Sequence, residues 1–179
     1  AAWGQWCALT PRSERLVYLS LGTGVGGAVI LDGQIVRHTR GGAGHFGFLI
    51  VDTAAAPSDA SGIPGCLSAI AAGPALHLAA AGEADRNASG DEALPAPVLE
   101  RAGAALGVVL VQLVHIYAPD LILLGGGVID HHPELVDRTR AAFARYTSGL
   151  IPVGLRIERA PLATDEAGVI GAALLALGK

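Results

Sequence analysis

The 179-residue sequence has no methionine, and only three phenylalanines, three tyrosines and two tryptophans. About half of the residues are hydrophobic, so the core has to be built from Ala, Val, Leu and Ile. Cysteine is scarce too: Cys7 and Cys66 are the only two. Two cysteines supply neither a four-ligand zinc framework nor a set of disulfides, which points to a reduced, cytoplasmic protein. Basic runs are missing and the formal net charge is −4, so this segment carries no electrostatic footprint of a nucleic-acid binder. The longest apolar run, "LGVVLVQLVHIYA" at 106–118, falls short of the about 20 residues that cross a bilayer. No secretory leader is expected. "AAWGQWCAL" at 1–9 reads like the middle of a helix that lacks a cap, so further chain is expected upstream.

The residues that are present suggest one domain, or one lobe of a larger protein, of a size that buries a real core. "LVYLSLGTGVGGAVILDGQIV" at 16–36 alternates apolar with small or polar residues. It predicts a three-stranded antiparallel meander whose second turn is Asp32-Gly33. "FGFLIVD" at 46–52 predicts a further short strand, and 53–65 a polar loop. "CLSAIAAG" at 66–73 predicts a short helix ended by Gly73, with Pro74 opening a second over 74–82. Residues 83–95 read as an acidic loop. From Pro97 to Tyr117, apolar residues recur at helical spacing. "LILL" at 121–124 is a buried strand. Asp130 is expected to cap a helix that reaches Tyr146, 153–160 to form a strand, and Asp165 to cap a final helix. The order is that of an α/β fold.

Two glycine clusters are candidates for ligand contact. "GTGVGG" matches the dinucleotide fingerprint at Gly22, Gly24 and Gly27, but a strand rather than a helix follows, so that reading is rejected. A glycine hairpin can instead turn backbone N–H groups towards phosphate oxygens, with the Thr23 hydroxyl as a further donor. It can equally be a tight turn and nothing more. "GGG" at 125–127 follows a buried strand, where ligands of open α/β sheets gather and a flat ligand can approach the backbone. A helix-packing loop is the alternative there.

Taken together, "YLSLGTGVGGAVILDGQIVRHTRGGAGHFGFLIVD", "GCLSAIAAGPAL", "APDLILLGGGV" and "AGVIGAALLAL" resemble the C-terminal lobe of the ROK family, which groups bacterial sugar kinases with sugar-responsive transcriptional repressors. The resemblance implies an actin-like, ribonuclease-H-like lobe: an antiparallel meander joined to parallel strands with packed helices, spanning 1–179. An N-terminal lobe and any DNA-binding domain would lie outside this chain. It also implies that Gly22, Thr23 and Gly24 face ATP phosphates, and that Gly125, Gly126 and Gly127 face adenosine. The kinases' catalytic aspartate would lie just before Ala1.

The departures from the family pattern concern the sugar and the metal. The kinases have glutamate where His45 stands, histidine where Phe48 stands, and glutamate where Ser68 stands. The first glutamate accepts hydrogen bonds from sugar hydroxyls, and the histidine joins a Cys-x-Cys loop and a third cysteine around zinc. Here only Cys66 remains of that set, and a tetrahedral zinc needs four ligands, so no zinc is expected. His45 and Ser68 are the candidate substrate contacts, although His45 can equally just pack. Losing two charged acceptors weakens sugar binding by roughly 1.5–3 kcal/mol each.

On these grounds the preferred expectation is the effector-sensing, self-associating lobe of a ROK-type transcriptional regulator, not an enzyme. It would bind a sugar-derived effector, dimerise, and reach DNA only through a domain outside this chain. The alternative is half of a sugar kinase using ATP and magnesium. A non-catalytic assembly module is the third reading. No membrane partner is expected.

Overall fold

A computed structural model describes residues 1–37, 43–54, 57–84, 94–147, 149 and 151–178. Strands β1 (Arg15–Leu21), β2 (Val25–Leu31) and β3 (Gln34–Ile35) form the predicted antiparallel meander. Asp32 (φ 51°) and Gly33 (φ 74°) take the left-handed conformation that a tight hairpin demands. Strand β4 (Leu121–Gly125) pairs parallel with β1, and β5 (Arg156–Arg159) pairs parallel with β4. The sheet order is β3-β2-β1-β4-β5, so β1 and β4 sit inside it and are almost wholly buried.

Alternation along these inner strands builds two cores. Val17, Leu19, Leu21, Ile122 and Leu124 face one side, under α2 (Ser68–Ala71), α4 (Ala96–Tyr117) and α6 (Glu134–Tyr146). Leu16, Tyr18, Leu121 and Leu123 face the other, under α1 (Ala2–Ala8). Helix α7 (Thr164–Ala176) lies on α1, where Gly4 and Gly171 let the two backbones touch. By length and composition α4 is apolar enough to cross a membrane. Its Val98, Ala102, Leu106, Val109 and Leu113, however, are buried in the first core. The actin-like α/β architecture is thus present.

Local predictions fail in four places. Residues 46–52 are not a strand. They form a single 3-10 turn, Phe46–Phe48, followed by one isolated bridge between Ile50 and Cys66. Buried Phe46 packs over Gly27 and turns the chain there. Gly73 does not end a helix but begins α3 (Gly73–Ala84), with Pro74 in its first turn. Asp130 does not cap α6: it lies within the short α5 (Gly127–His131), and α6 starts afresh after Pro133. Asp165 is not a cap either, because it lies inside α7, whose N-cap position is Ala163. The predicted acidic loop falls largely on residues outside those described.

Candidate functional site

The carboxyl ends of β1 and β4 lie side by side, Ser20 opposite Gly125. Each runs straight into one of the glycine clusters. Gly22 donates its N–H to the Gly24 carbonyl at 2.9 Å, which closes the β1–β2 turn, and accepts from Gly73 N–H at 2.8 Å. That second bond brings the start of α3 against the turn. Gly126 (φ 99°) runs so close to Leu21 that a Cβ there would lie 2.2 Å from the Leu21 oxygen. Six predicted site residues, Gly22, Thr23, Gly24, Gly125, Gly126 and Gly127, therefore meet at one end of the sheet.

Their glycines have different reasons. Gly125 is packed from within the protein, because a Cβ would meet Ala160 at 2.9 Å and the Tyr18 hydroxyl at 3.0 Å. Gly126 is required by its backbone and by Leu21. Gly22, Gly24 and Gly127 have nothing within 4 Å of where a Cβ would stand, and none of the three has a positive φ. No contact among the described residues calls for glycine at these positions; open space lies over each.

The turn 22–24 divides two hollows. On one side is a cleft of about 1110 Å³, with Thr23, Gly24, Phe48, Ser68, Leu78 and Arg101 among its lining. On the other is a hollow of about 590 Å³ between Ser20, Gly22, Thr23 and helices α1 and α7. Ser68 is 6% exposed at the base of the cleft. Its Oγ accepts the Val25 N–H at 3.0 Å, so this hydroxyl clamps α2 to β2. Gly47 leaves it room, since a Cβ there would come within 2.1 Å of that oxygen. His45 is exposed and does not line the cleft. Its ring stacks on Phe48, centroids 5.6 Å apart and 6° from parallel, and Phe48, 45% exposed, carries that stack to the cleft rim. Arg101 has no hydrogen-bonding or ionic partner among the described residues.

Sequence reasoning missed two carboxylates that shape this region. Asp59 Oδ1 accepts from Ser61 N–H (3.0 Å), Ser61 Oγ (2.5 Å) and Ile63 N–H (3.3 Å). The Ser61 hydroxyl foremost, and the two amides, hold this carboxyl below its usual range. The Asp-x-Ser pattern of a side-chain-closed turn was the available signal. Asp130 Oδ2 accepts from Thr164 Oγ1 (2.6 Å) and Thr164 N–H (3.3 Å), while Arg159 reaches Oδ1 at 3.3 Å. Burial pushes the Asp130 carboxyl up, but Thr164 and Arg159 outweigh it and hold the group below the usual carboxylate range. No local pattern announces that link.

The metal set implied by the resemblance does not fit this loop. Phe48 offers no donor, Asp59 is engaged by Ser61 and Ile63, and Cys66 is fully buried. Among the described residues no group of three His, Cys, Asp or Glu side chains is gathered to hold a metal.

The ROK family profile matches residues 1–179, the whole chain. The chain belongs to the ROK family. It is 30% identical to an N-acetylmannosamine kinase of Escherichia coli O7:K1, over 100% of this chain and 62% of that protein. A ROK family glucokinase from Streptomyces griseus, solved with glucose and AMPPNP, superposes with a TM-score of 0.85 at 25% identity, covering 99% of this chain and 65% of that one. The chain thus spans less than two thirds of the length of these relatives. A ROK family transcriptional regulator, a homologue of the E. coli MLC protein, superposes at 0.75 but is 18% identical, covering 90% and 46%. That level of likeness reports the shared fold alone.

These findings overturn the expectation of a regulator lobe, and with it the expectation that the chain is no part of an enzyme. A relative that matches this chain along its whole length is a kinase. The physical reason for the error is that both branches of the family share one scaffold. Altered side chains at 45, 48 and 68 therefore do not by themselves separate one branch from the other.

Proposed function

We propose that this chain is the C-terminal lobe of an ATP-dependent sugar kinase working in the cytoplasm. The observation that carries this reading is the trio of open glycines, Gly22, Gly24 and Gly127, at the adjoining ends of β1 and β4. Glycine without a steric or conformational cause leaves room for another molecule's close approach to the backbone, and beyond the carboxyl ends of parallel strands is where such ligands sit. The kinase relatives support the same reading.

The residues present fit a nucleoside triphosphate. Thr23, exposed at the tip of the turn, would hold phosphate oxygens through its hydroxyl, and open Gly127 would lie beside the nucleoside. The bound triphosphate supplies the phosphoryl group. The chain's own part is to hold it in line and to keep water from it. Phe48 and Ser68 would form the acceptor wall, with the Ser68 O–H as donor and His45 reaching over Phe48 from the rim. The general base would come from outside these 179 residues, as the relatives' greater length suggests.

Calorimetry of the full-length protein with Mg-ATP tests this, together with a coupled assay on N-acetylmannosamine and glucose. Micromolar nucleotide binding that Gly24→Val removes is expected, with turnover of at least one sugar. Absence of both would overturn the reading.

A further inference from the structure

Between Pro57 and Pro64 the cleft wall contains neither helix nor strand, and none of its residues is buried. None of its residues belongs to either core, and only the Asp59 carboxyl reaches a buried side chain, that of Cys66; yet Pro57, Ser58, Asp59, Ala60 and Ser61 all line the cleft that Phe48 and Ser68 share. Its shape therefore has to come from its own polar contacts. One bridge joins Ser58 to Pro64, and Gly65 N–H reaches the Pro57 carbonyl at 2.9 Å. These two contacts close the base of the loop and leave its tip free.

The tip is gathered on one residue. Asp59 Oδ1 takes the amides of Ser61 and Ile63 and the hydroxyl of Ser61, while the Asp59 carbonyl takes Gly62 N–H at 3.0 Å. Four bonds from three successive residues thus converge on a single side chain and its own backbone. A carboxylate accepting several N–H and O–H donors forms charge-assisted bonds about twice as strong as neutral ones. Without them the wall has two backbone contacts and no buried apolar group, too little to order about eight residues at roughly 1–2 kcal/mol each.

We propose that Asp59 is a positioning residue for acceptor binding: its carboxylate holds the 57–61 wall in place across the cleft from α3, without a metal. This rests on the kinase reading for its kinetic consequence only. Asp59 does not touch the reacting atoms. It acts by presenting the wall, so its loss should weaken acceptor binding and leave both the nucleotide site and the chemistry largely alone.

The experiment uses the full-length protein with Asp59→Ala and the milder Asp59→Asn, which keeps an oxygen acceptor but not the charge. Steady-state kinetics with N-acetylmannosamine and ATP should show the acceptor KM rising at least tenfold in Asp59→Ala, with kcat and the ATP KM within twofold. Asp59→Asn should fall between. Hydrogen exchange should show the Ser61 and Ile63 amides protected in the parent protein, released in Asp59→Ala, and unchanged by 1,10-phenanthroline. The proposal is overturned if those amides exchange freely in the parent, if the chelator releases them, or if kcat and both KM values fall or rise together. If the parent turns over no sugar, the kinase reading is what fails. Calorimetric binding of N-acetylmannosamine, lost in Asp59→Ala, then decides the positioning role, and no binding to the parent overturns both.

Discussion

At the scale of single residues, glycines of identical composition do different work, and substitution separates them. Gly126→Ala would force a Cβ to 2.2 Å from the Leu21 oxygen at a φ of 99°. Strain of that kind costs about 1–3 kcal/mol before the clash is counted, so a fall in Tm of roughly 5 °C or more is expected in a thermal melt. Gly24→Ala meets nothing within 4 Å. It should leave Tm within about 2 °C and lower Mg-ATP affinity, read by calorimetry. Equal effects of the two on stability would refute the distinction. Asp130 gives a pH prediction. Its carboxyl is held below the usual range, so the ionised form is the one the fold favours. The stabilisation is present above the unfolded value near 4, and disappears as pH falls through the lower folded value. Denaturant melts should show Asp130→Asn less stable at pH 7 and converging with the parent as pH drops towards 2. The sequence shows such residues without their partners: Thr164 lies far along the chain from Asp130, and spacing says nothing of their meeting.

At the scale of elements, periodicity was a sound guide wherever one face of an element is buried. Helix α4 was legible from Val98, Ala102, Leu106, Val109 and Leu113, and β4 from an unbroken apolar run, because each packs by its own repeat. The failures have one cause: short segments shaped by a neighbour. Phe46 looked like a strand residue until its packing over Gly27 turned 46–48 into a 3-10 turn. The approach of α4 to α6 likewise hangs on two small positions. A Cβ at Gly103 would lie 2.8 Å from Arg138 Cβ, and one at Gly107 2.6 Å from Ala142 Cβ. Gly107→Val should therefore destabilise by about 2–3 kcal/mol through overpacking. Urea unfolding checks it, and an unchanged midpoint would show that the helices can part without cost.

At the scale of the whole molecule, one mixed sheet carries a core on each face, and β1 and β4 finish together at one end. If the nucleotide is held there, Mg-ATP at a hundredfold excess over Kd stabilises the fold by about 2.7 kcal/mol. For a chain of this size that is a Tm increase of roughly 5–10 °C, measurable by differential scanning fluorimetry, and no shift at saturating nucleotide would contradict the assignment. The sequence by itself determined the three-stranded meander, β4, the long helix, the family and the two glycine loops, because these rest on local periodicity and on short contiguous patterns. Only the tertiary structure decided which glycines are open, that Ser68 clamps β2 and His45 stands on the rim, and that Asp59 gathers the cleft wall. Each of those depends on groups brought together across the fold, and distance in space is not written in spacing along the chain.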